Sequence, residues 1–363
     1  MFKWFFLFLC LSIGIIYFFF LRNSSVPKNV PLIDNVIPTT TISPTVKVNI
    51  TKETTLSLFV PYWSVSGRAI LENEFSTLYY FGIVPNDDGI NKKDPGYTKL
   101  SQFNKDINGQ RKTILTIRMI DSSFNSKLLQ NKDLQKKIIQ ESILVAKEHN
   151  FSGIALDYEL SALAFDSVIA GINSFYTDFG KEVKKNDLSF NAIIYGDVFY
   201  RLRPYDVATI AKQVDGVLIM TYDFHKANGE PGPNFPLGGK NTYGYDLSKM
   251  IGDFTDVVPP QKLTIVFGLF GYDWTLGSDK RSTGQAVAKS YLEFKKEFID
   301  SCDYTECKIV RDGVSSETKA TYIDSQGKEH VVWFEDMESV KKKEALLKQK
   351  GINSFGYWAY SYF

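Results

Sequence analysis

Asp157 and Glu159 lie two residues apart in Phe151 to Leu160, FSGIALDYEL, a run that is otherwise almost wholly apolar. Side chains alternate faces along a strand, so Gly153, Ala155, Asp157 and Glu159 share one face while Ile154, Leu156 and Tyr158 share the other. Two acids on one face at the end of a buried strand repel each other. That repulsion raises one pKa and keeps a proton ready for donation near neutral pH. The chemistry this favours is general acid–base catalysis. The competing reading is an N-cap or a surface ion pair at a loop mouth, where structural carboxylates are common.

A strand apolar on both faces belongs in a parallel sheet covered by helices. The rest of the chain agrees. Strand-like runs fall at Leu56–Trp63, Thr77–Val84, Thr113–Met119, Phe151–Leu160, Leu188–Tyr195, Gly216–Tyr222, Leu263–Phe270 and Asn353–Trp358. Helical spacing of apolar residues lies between several of them, at Asp133–Glu148, Ala164–Lys185 and Asp206–Val214. Eight strand-then-helix units predict an α/β fold, a (β/α)8 TIM barrel, with its site at the C-terminal ends of the strands. Residues 274–336 are too long for a loop and carry three short strand-like runs, near 307–310, 318–323 and 330–334. They predict a small α+β insertion after the seventh strand.

The N-terminus differs in character. Lys3 precedes a nearly uninterrupted apolar stretch, Trp4–Leu21, closed by Arg22, with no small-x-small cleavage site after it. Residues 1–22 therefore read as a transmembrane anchor or signal segment, with the anchor preferred. Residues 23–55, with Pro27, Pro31, Pro38 and Pro44 and no amphipathic period, read as a Pro/Thr/Ser-rich linker. The expectation is a cell-membrane protein, single-pass with the domain of residues 56–363 outside, or a secreted one if the segment is cleaved.

The composition of the 363 residues, 44% hydrophobic and 23% charged, allows a sizeable core, and a net charge of +1 gives no reason to expect a nucleic-acid partner. The aromatic content of 15% exceeds what a core needs and hints at platforms for sugar rings. Three scattered histidines and three cysteines show no metal-ligand spacing, so neither a metal nor another cofactor is expected. Cys302 and Cys307 are close enough to close a small loop, as a disulfide or as two free thiols.

Taken together, SGIALDYE and the MTYDFH of residues 220–225 resemble glycoside hydrolase family 18, over nearly all of residues 56–363. FVPYW, GEPGPNFPLGG, KLTIVFGLFGYDW, VWFEDMES and YWAY are supporting matches, and several of them look most like the bacterial cell-wall and spore-coat branch. The resemblance implies substrate-assisted retaining hydrolysis, in which the 2-acetamido group of the sugar is the nucleophile. It makes Glu159 the general acid and base, Asp157 the partner of the acetamido N–H, and Tyr222 the residue holding the acetamido carbonyl. Asp223 becomes a sugar contact, Met220 a packed wall and Trp358 the platform under the distorted sugar. Tyr62, Trp63 and Trp274 are candidates for subsites or for simple packing, and His225 reads as structural. The implied partner is an N-acetylated polysaccharide, peptidoglycan first and chitin second, with the oligomeric state open.

Two stretches depart from the family pattern. Ser152 and Ala155 stand where the first two of its four motif acids are expected, so the inner partner of Asp157 is absent. TIRMID, residues 116–121, replaces a small Ser-Gly-Gly pattern, and Arg118 there faces either the pocket or the helices. In the pocket it would favour a carboxylate-bearing substrate. The drift at residue 155 keeps open a second reading, a glycan-binding protein with little or no turnover.

Overall fold

In the computed structural model, residues 53–107 and 111–363 are described. The segment 1–22 and nearly all of the linker lie outside them. Among the described residues no helix is long and apolar enough to cross a membrane.

Seven strands follow in chain order: β1 (Thr55–Pro61), β2 (Thr77–Ile83), β3 (Lys112–Met119), β4 (Gly153–Tyr158), β5 (Ser189–Tyr195), β6 (Gly216–Thr221) and β7 (Leu263–Gly268). Five more, β8 (Phe270–Thr275), β9 (Val287–Ser290), β10 (Thr305–Arg311), β11 (Thr318–Ile323) and β12 (Glu329–Phe334), form a separate sheet before β13 (Ser354–Trp358). The first seven and β13 close into one parallel barrel in the order β1-β13-β7-β6-β5-β4-β3-β2. The expected barrel is therefore present, formed by eight parallel strands.

The strand faces sort as alternation requires. Phe59, Tyr79, Phe81, Ile114, Ala155, Ile193, Leu218, Met220 and Val266 fill the barrel interior, and the opposite faces pack under the helices. The main covering helices are α1 (Leu100–Asp106), α2 (Lys132–Glu148), α3 (Asp166–Lys184), α4 (Val207–Gln213), α5 (Leu247–Thr255) and α6 (Met337–Gln349). In α3, Ile172, Phe175, Tyr176, Phe179 and Val183 repeat at helical spacing and are all buried. Between β1 and β2 there is no α-helix, only a 3-10 turn at Tyr62–Ser64. The strand-then-helix rule fails at that first unit.

The insertion begins earlier than the sequence suggests. Its sheet, ordered β9-β8-β12-β11-β10, starts at Phe270, because the chain leaves the barrel at Gly268 and re-enters a strand after one residue. The run from Leu263 through Trp274 stays mainly apolar across that break, with only glycines, Gly268 and Gly271, to mark it. Cys302 and Cys307 are joined by a disulfide within the insertion.

Candidate functional site

The ends of β4, β5, β6 and β13 bring the predicted acids and aromatics together. Asp157 faces the barrel interior, paired in register with Arg118 of β3 and Ile193 of β5. Glu159 follows one residue beyond β4. Its backbone is clamped: its N–H donates to the Met119 carbonyl at 2.8 Å, and its carbonyl accepts from Asn125 Nδ2 at 2.6 Å. Asn125 also donates to the Met119 carbonyl at 2.6 Å, so one buried amide ties the ends of β3 and β4 together. On the far side, Tyr205 donates to the Tyr158 carbonyl at 2.8 Å and accepts from the Leu160 N–H at 2.7 Å. The acid is thus fixed by groups that touch no substrate, which is how a site holds a reactive side chain in one geometry.

The side chain of Glu159 has its own partner. Tyr195, at the end of β5, donates its hydroxyl to Glu159 Oε2 at 2.6 Å. The Arg203 guanidinium lies over the Tyr195 ring, 3.8 Å from its centroid, and is itself held by both oxygens of Asp197 at 2.6 and 3.0 Å. Burial pushes the Glu159 carboxyl up, and the Tyr195 hydrogen bond and the nearby Lys226 pull it part of the way back. Asp157 is pushed well above the ordinary carboxylate range by burial and by the charge of Glu159, while Arg118 opposes the shift. Two acids that both resist ionisation keep a proton between them, and it belongs to the pair rather than to either residue.

Where the family pattern has an inner acid, Ala155 is fully buried, flanked in register by Thr116 and Asn191. Asp157 Oδ1 and Thr116 Oγ1 are both buried without a hydrogen-bond partner among the described residues. These unpaired atoms surround the place of the missing carboxylate.

Beyond β6, Tyr222 is half-buried against Phe270 and Trp358, with ring centroids 5.7 and 6.3 Å away. Gly268 makes this approach possible, since a Cβ there would stand 2.7 Å from the Tyr222 Cβ and 2.5 Å from the Phe270 ring. Asp223 adopts a left-handed backbone, φ 58°, held by its N–H donating to Asn234 Oδ1 at 2.8 Å. Its carboxylate accepts from the Tyr272 hydroxyl at 2.6 Å, and burial pushes its pKa up. Met220 lies in the inward layer, 7% exposed.

The supporting motifs meet behind this loop. Asn234, from the GPNFP stretch, donates from its side chain to the carbonyls of Gly268 and Phe270. Its backbone N–H and that of Phe235 reach the two oxygens of Glu317 at 2.5 and 2.8 Å. Glu317 in turn pairs with Lys343 of α6, which also binds Glu335, and all three side chains are fully buried. Asp336, next to Glu335, caps α6 and is gripped by Arg311. The WFED element therefore anchors the loop that carries Asp223.

Trp358 forms the floor. Its ring meets Phe81 at 4.7 Å, Phe59 at 5.8 Å and Trp63 at 6.1 Å. Trp63 stands on the 3-10 turn, 45% exposed, with half-buried Tyr62 beside it. Trp274 is not part of the site. It is fully buried within the insertion, packed on Tyr272, because β8 belongs to the second sheet. His225 bonds the Pro233 carbonyl through Nδ1 at 2.8 Å, and burial lowers its pKa, so it holds its own loop together. Among the described residues no group of three or more His, Cys, Asp or Glu is arranged to hold a metal.

Sequence reasoning missed Tyr195, Asn125, Asn234 and Lys226. Tyr195 ends a strand, Asn125 lies in the short helix Ser122–Leu128, and Asn234 and Lys226 lie in loops; each is an ordinary residue whose partner lies elsewhere in the chain.

A parallel eight-stranded barrel with paired carboxyls at the end of its fourth strand and an aromatic floor at the end of its eighth defines a sugar-cleaving class of (β/α)8 protein. Residues 58–362 match the model of Glycosyl hydrolases family 18, and the chain belongs to that family. The cortical fragment-lytic enzyme of Bacillus anthracis is 27% identical over 310 residues, covering 80% of this chain and 66% of that protein. The putative sporulation-specific glycosylase YdhD of Bacillus subtilis is 21% identical over 290 residues, covering 78% and 64%. The chain thus spans slightly less than two thirds of the length of these relatives. Among solved structures, the Bacillus cereus spore cortex-lytic enzyme SleL aligns with a TM-score of 0.68 at 20% identity, over 86% of this chain and 72% of that one. The chitinase of Cycas revoluta in complex with (GlcNAc)3 aligns with a TM-score of 0.71 at 22% identity, over 84% and 94%. At these identities the structures establish the fold.

Proposed function

We propose that the protein is a glycosidase that cleaves β-1,4 linkages next to N-acetylglucosamine, on peptidoglycan first and on chitin-like glycans second. The observation that carries the reading is the buried Asp157–Glu159 pair, proton-retaining, with Glu159 lining a small cavity together with Met220, Tyr222 and Asp223. Glu159 gives its proton to the glycosidic oxygen as the acetamido carbonyl oxygen of the sugar attacks the anomeric carbon. The leaving sugar departs as an alcohol and an oxazolinium ion remains. Glu159, now a carboxylate, takes a proton from the water that attacks the same carbon from the vacated side, which restores the acetamido group with retention.

Asp157 accepts the acetamido N–H and offsets the positive charge, and the Tyr222 hydroxyl holds the acetamido carbonyl. Asp223 contacts the same sugar, Met220 forms the wall and Trp358 the floor. Tyr62 and Trp63 extend the aromatic surface toward the next sugar. Tyr195 is a positioning residue that orients Glu159. The apolar segment 4–21 supports an anchor that would hold residues 56–363 outside a membrane, beyond the linker of residues 23–55.

The test is reducing-end release from purified peptidoglycan and from chitin oligomers by the full chain and by Glu159→Gln. Loss of a general acid costs about 10²–10⁴ in rate. Cleavage of one polymer, lost by that factor in Glu159→Gln, supports the reading. Binding of either polymer without cleavage would replace it with a glycan-binding protein.

A further inference from the structure

Arg118 is in the pocket, not under the helices. Its side chain shares the barrel interior with Asp157, and its guanidinium carbon lies 5.5 Å from the ring centroid of Tyr62 and 5.8 Å from that of Phe81. Among the described residues it makes no ion pair and no hydrogen bond, and its Nε is buried without a partner. The other arginines near the cleft are committed. Arg203 grips Asp197, and Arg201 pairs with Asp197 and donates to the Phe224 carbonyl. A guanidinium carries five donors and is costly to bury unpaired, so an empty one in a cleft calls for an acceptor the protein does not supply.

The space beside Arg118 can hold that acceptor. It adjoins a cavity of about 280 Å³ whose walls include Pro85, Asn86, Met119 and Phe124. Two acids also line it. Asp121 accepts the N–H groups of Ser123 and Phe124 at the start of a short helix, and Asp87 points to water. Neither pairs with Arg118. Asp157, its neighbour across the strands, feels its charge but does not reach it. The two rings hold the guanidinium plane by cation–π attraction and leave its edge free.

We propose that Arg118 is a specificity-determining residue that binds a carboxylate carried by the sugar next to the cleavage point, as on the lactyl ether of peptidoglycan or the peptide attached to it. The proposal rests on the glycosidase reading above and narrows its substrate to acidic glycans. The planar fork matches a carboxylate through two parallel hydrogen bonds, and partial burial strengthens them. A neutral chitin chain leaves those donors empty, and sites built around a polar group discriminate against ligands that lack it.

The test is binding, so that it does not depend on turnover. The full chain carrying Glu159→Gln is titrated calorimetrically with three ligands: the N-acetylglucosaminyl-N-acetylmuramic acid disaccharide, the same disaccharide with its lactyl carboxyl reduced to an alcohol, and chitobiose. The same titrations are run with Arg118→Gln and Arg118→Lys added. The acidic disaccharide should bind about tenfold to a hundredfold tighter than its alcohol. Arg118→Gln should close that gap, and Arg118→Lys should keep part of it. A peptide-bearing disaccharide that alone shows the preference assigns the carboxylate to the peptide. Equal affinities for acid and alcohol with no preference for the peptide-bearing disaccharide either, equal weakening of all ligands by Arg118→Gln, or no binding of any ligand would overturn the proposal. Failure of the glycosidase reading shows separately, as wild-type protein that binds these ligands and cleaves nothing.

Discussion

The Tyr195 hydroxyl donates to Glu159 Oε2 at 2.6 Å, joining the end of β5 to the acid beyond β4. Their positions are 36 residues apart in the chain, and the bond does two things. It fixes the rotamer of the carboxyl, and it favours the ionised form, lowering a pKa that burial raises.

Tyr195→Phe should therefore change rate and pH dependence together. The lost hydrogen bond to a charged group, worth about 1.5–3 kcal/mol, lowers kcat by roughly tenfold to a hundredfold. Without the bond the Glu159 pKa rises. Because Glu159 must be protonated to act as acid, the alkaline limb of the rate profile moves to higher pH. The measurement is kcat/KM against pH for both proteins. A limb that stays in place or moves down would show that Tyr195 only packs.

The barrel was legible because its strands are short apolar runs bounded by polar sequence, and Asp157 and Glu159 stood out as charges in such a run. Two features hid the rest. The chain passes from β7 to β8 through Leu269 alone, so Phe270 reads as the end of the seventh barrel strand when it opens the insertion sheet. Partnerships such as Asn125 with Glu159, or Asn234 with Asp223, depend on which segments meet in space, and neither composition nor periodicity records them. Arg118 stood between the two cases. Its type was conspicuous, but its face depended on strand register, which only the fold supplied.

The cluster behind the Asp223 loop makes a strong demand on Lys343. It donates to Glu317 and Glu335, and none of the three side chains reaches solvent. Lys343→Met would leave two buried acids without their cation. Breaking such a pair costs about 3–5 kcal/mol. The melting temperature should fall on the order of 10 °C, as followed by circular dichroism. Because Glu317 holds the N–H groups of Asn234 and Phe235, KM should rise in the surviving folded protein. An unchanged melting temperature would mean that Glu317 and Glu335 are satisfied without the lysine.

Glu335 makes the same cluster pH-sensitive. Burial, with the charge of Glu317 adding to it, raises its pKa from the ordinary 4.5 of a glutamate to about 8, while Lys343 and the Ser339 hydroxyl oppose the shift. At neutral pH Glu335 then sits beside the Lys343 cation as a neutral carboxyl. A folded-state pKa above the unfolded one means that the native state binds the extra proton. The stabilisation is fully present below about 4.5 and is lost as pH rises through about 8. Between those values the slope from this group approaches about 1.4 kcal/mol per pH unit. Glu335→Gln keeps an amide oxygen to accept from Ser339 and Lys343 and removes the titration. Its urea midpoint should match the wild type near pH 5 and exceed it increasingly toward pH 8.5. Parallel curves for the two proteins over that range would show that Glu335 is ionised in the native state and that the cluster carries its charge permanently.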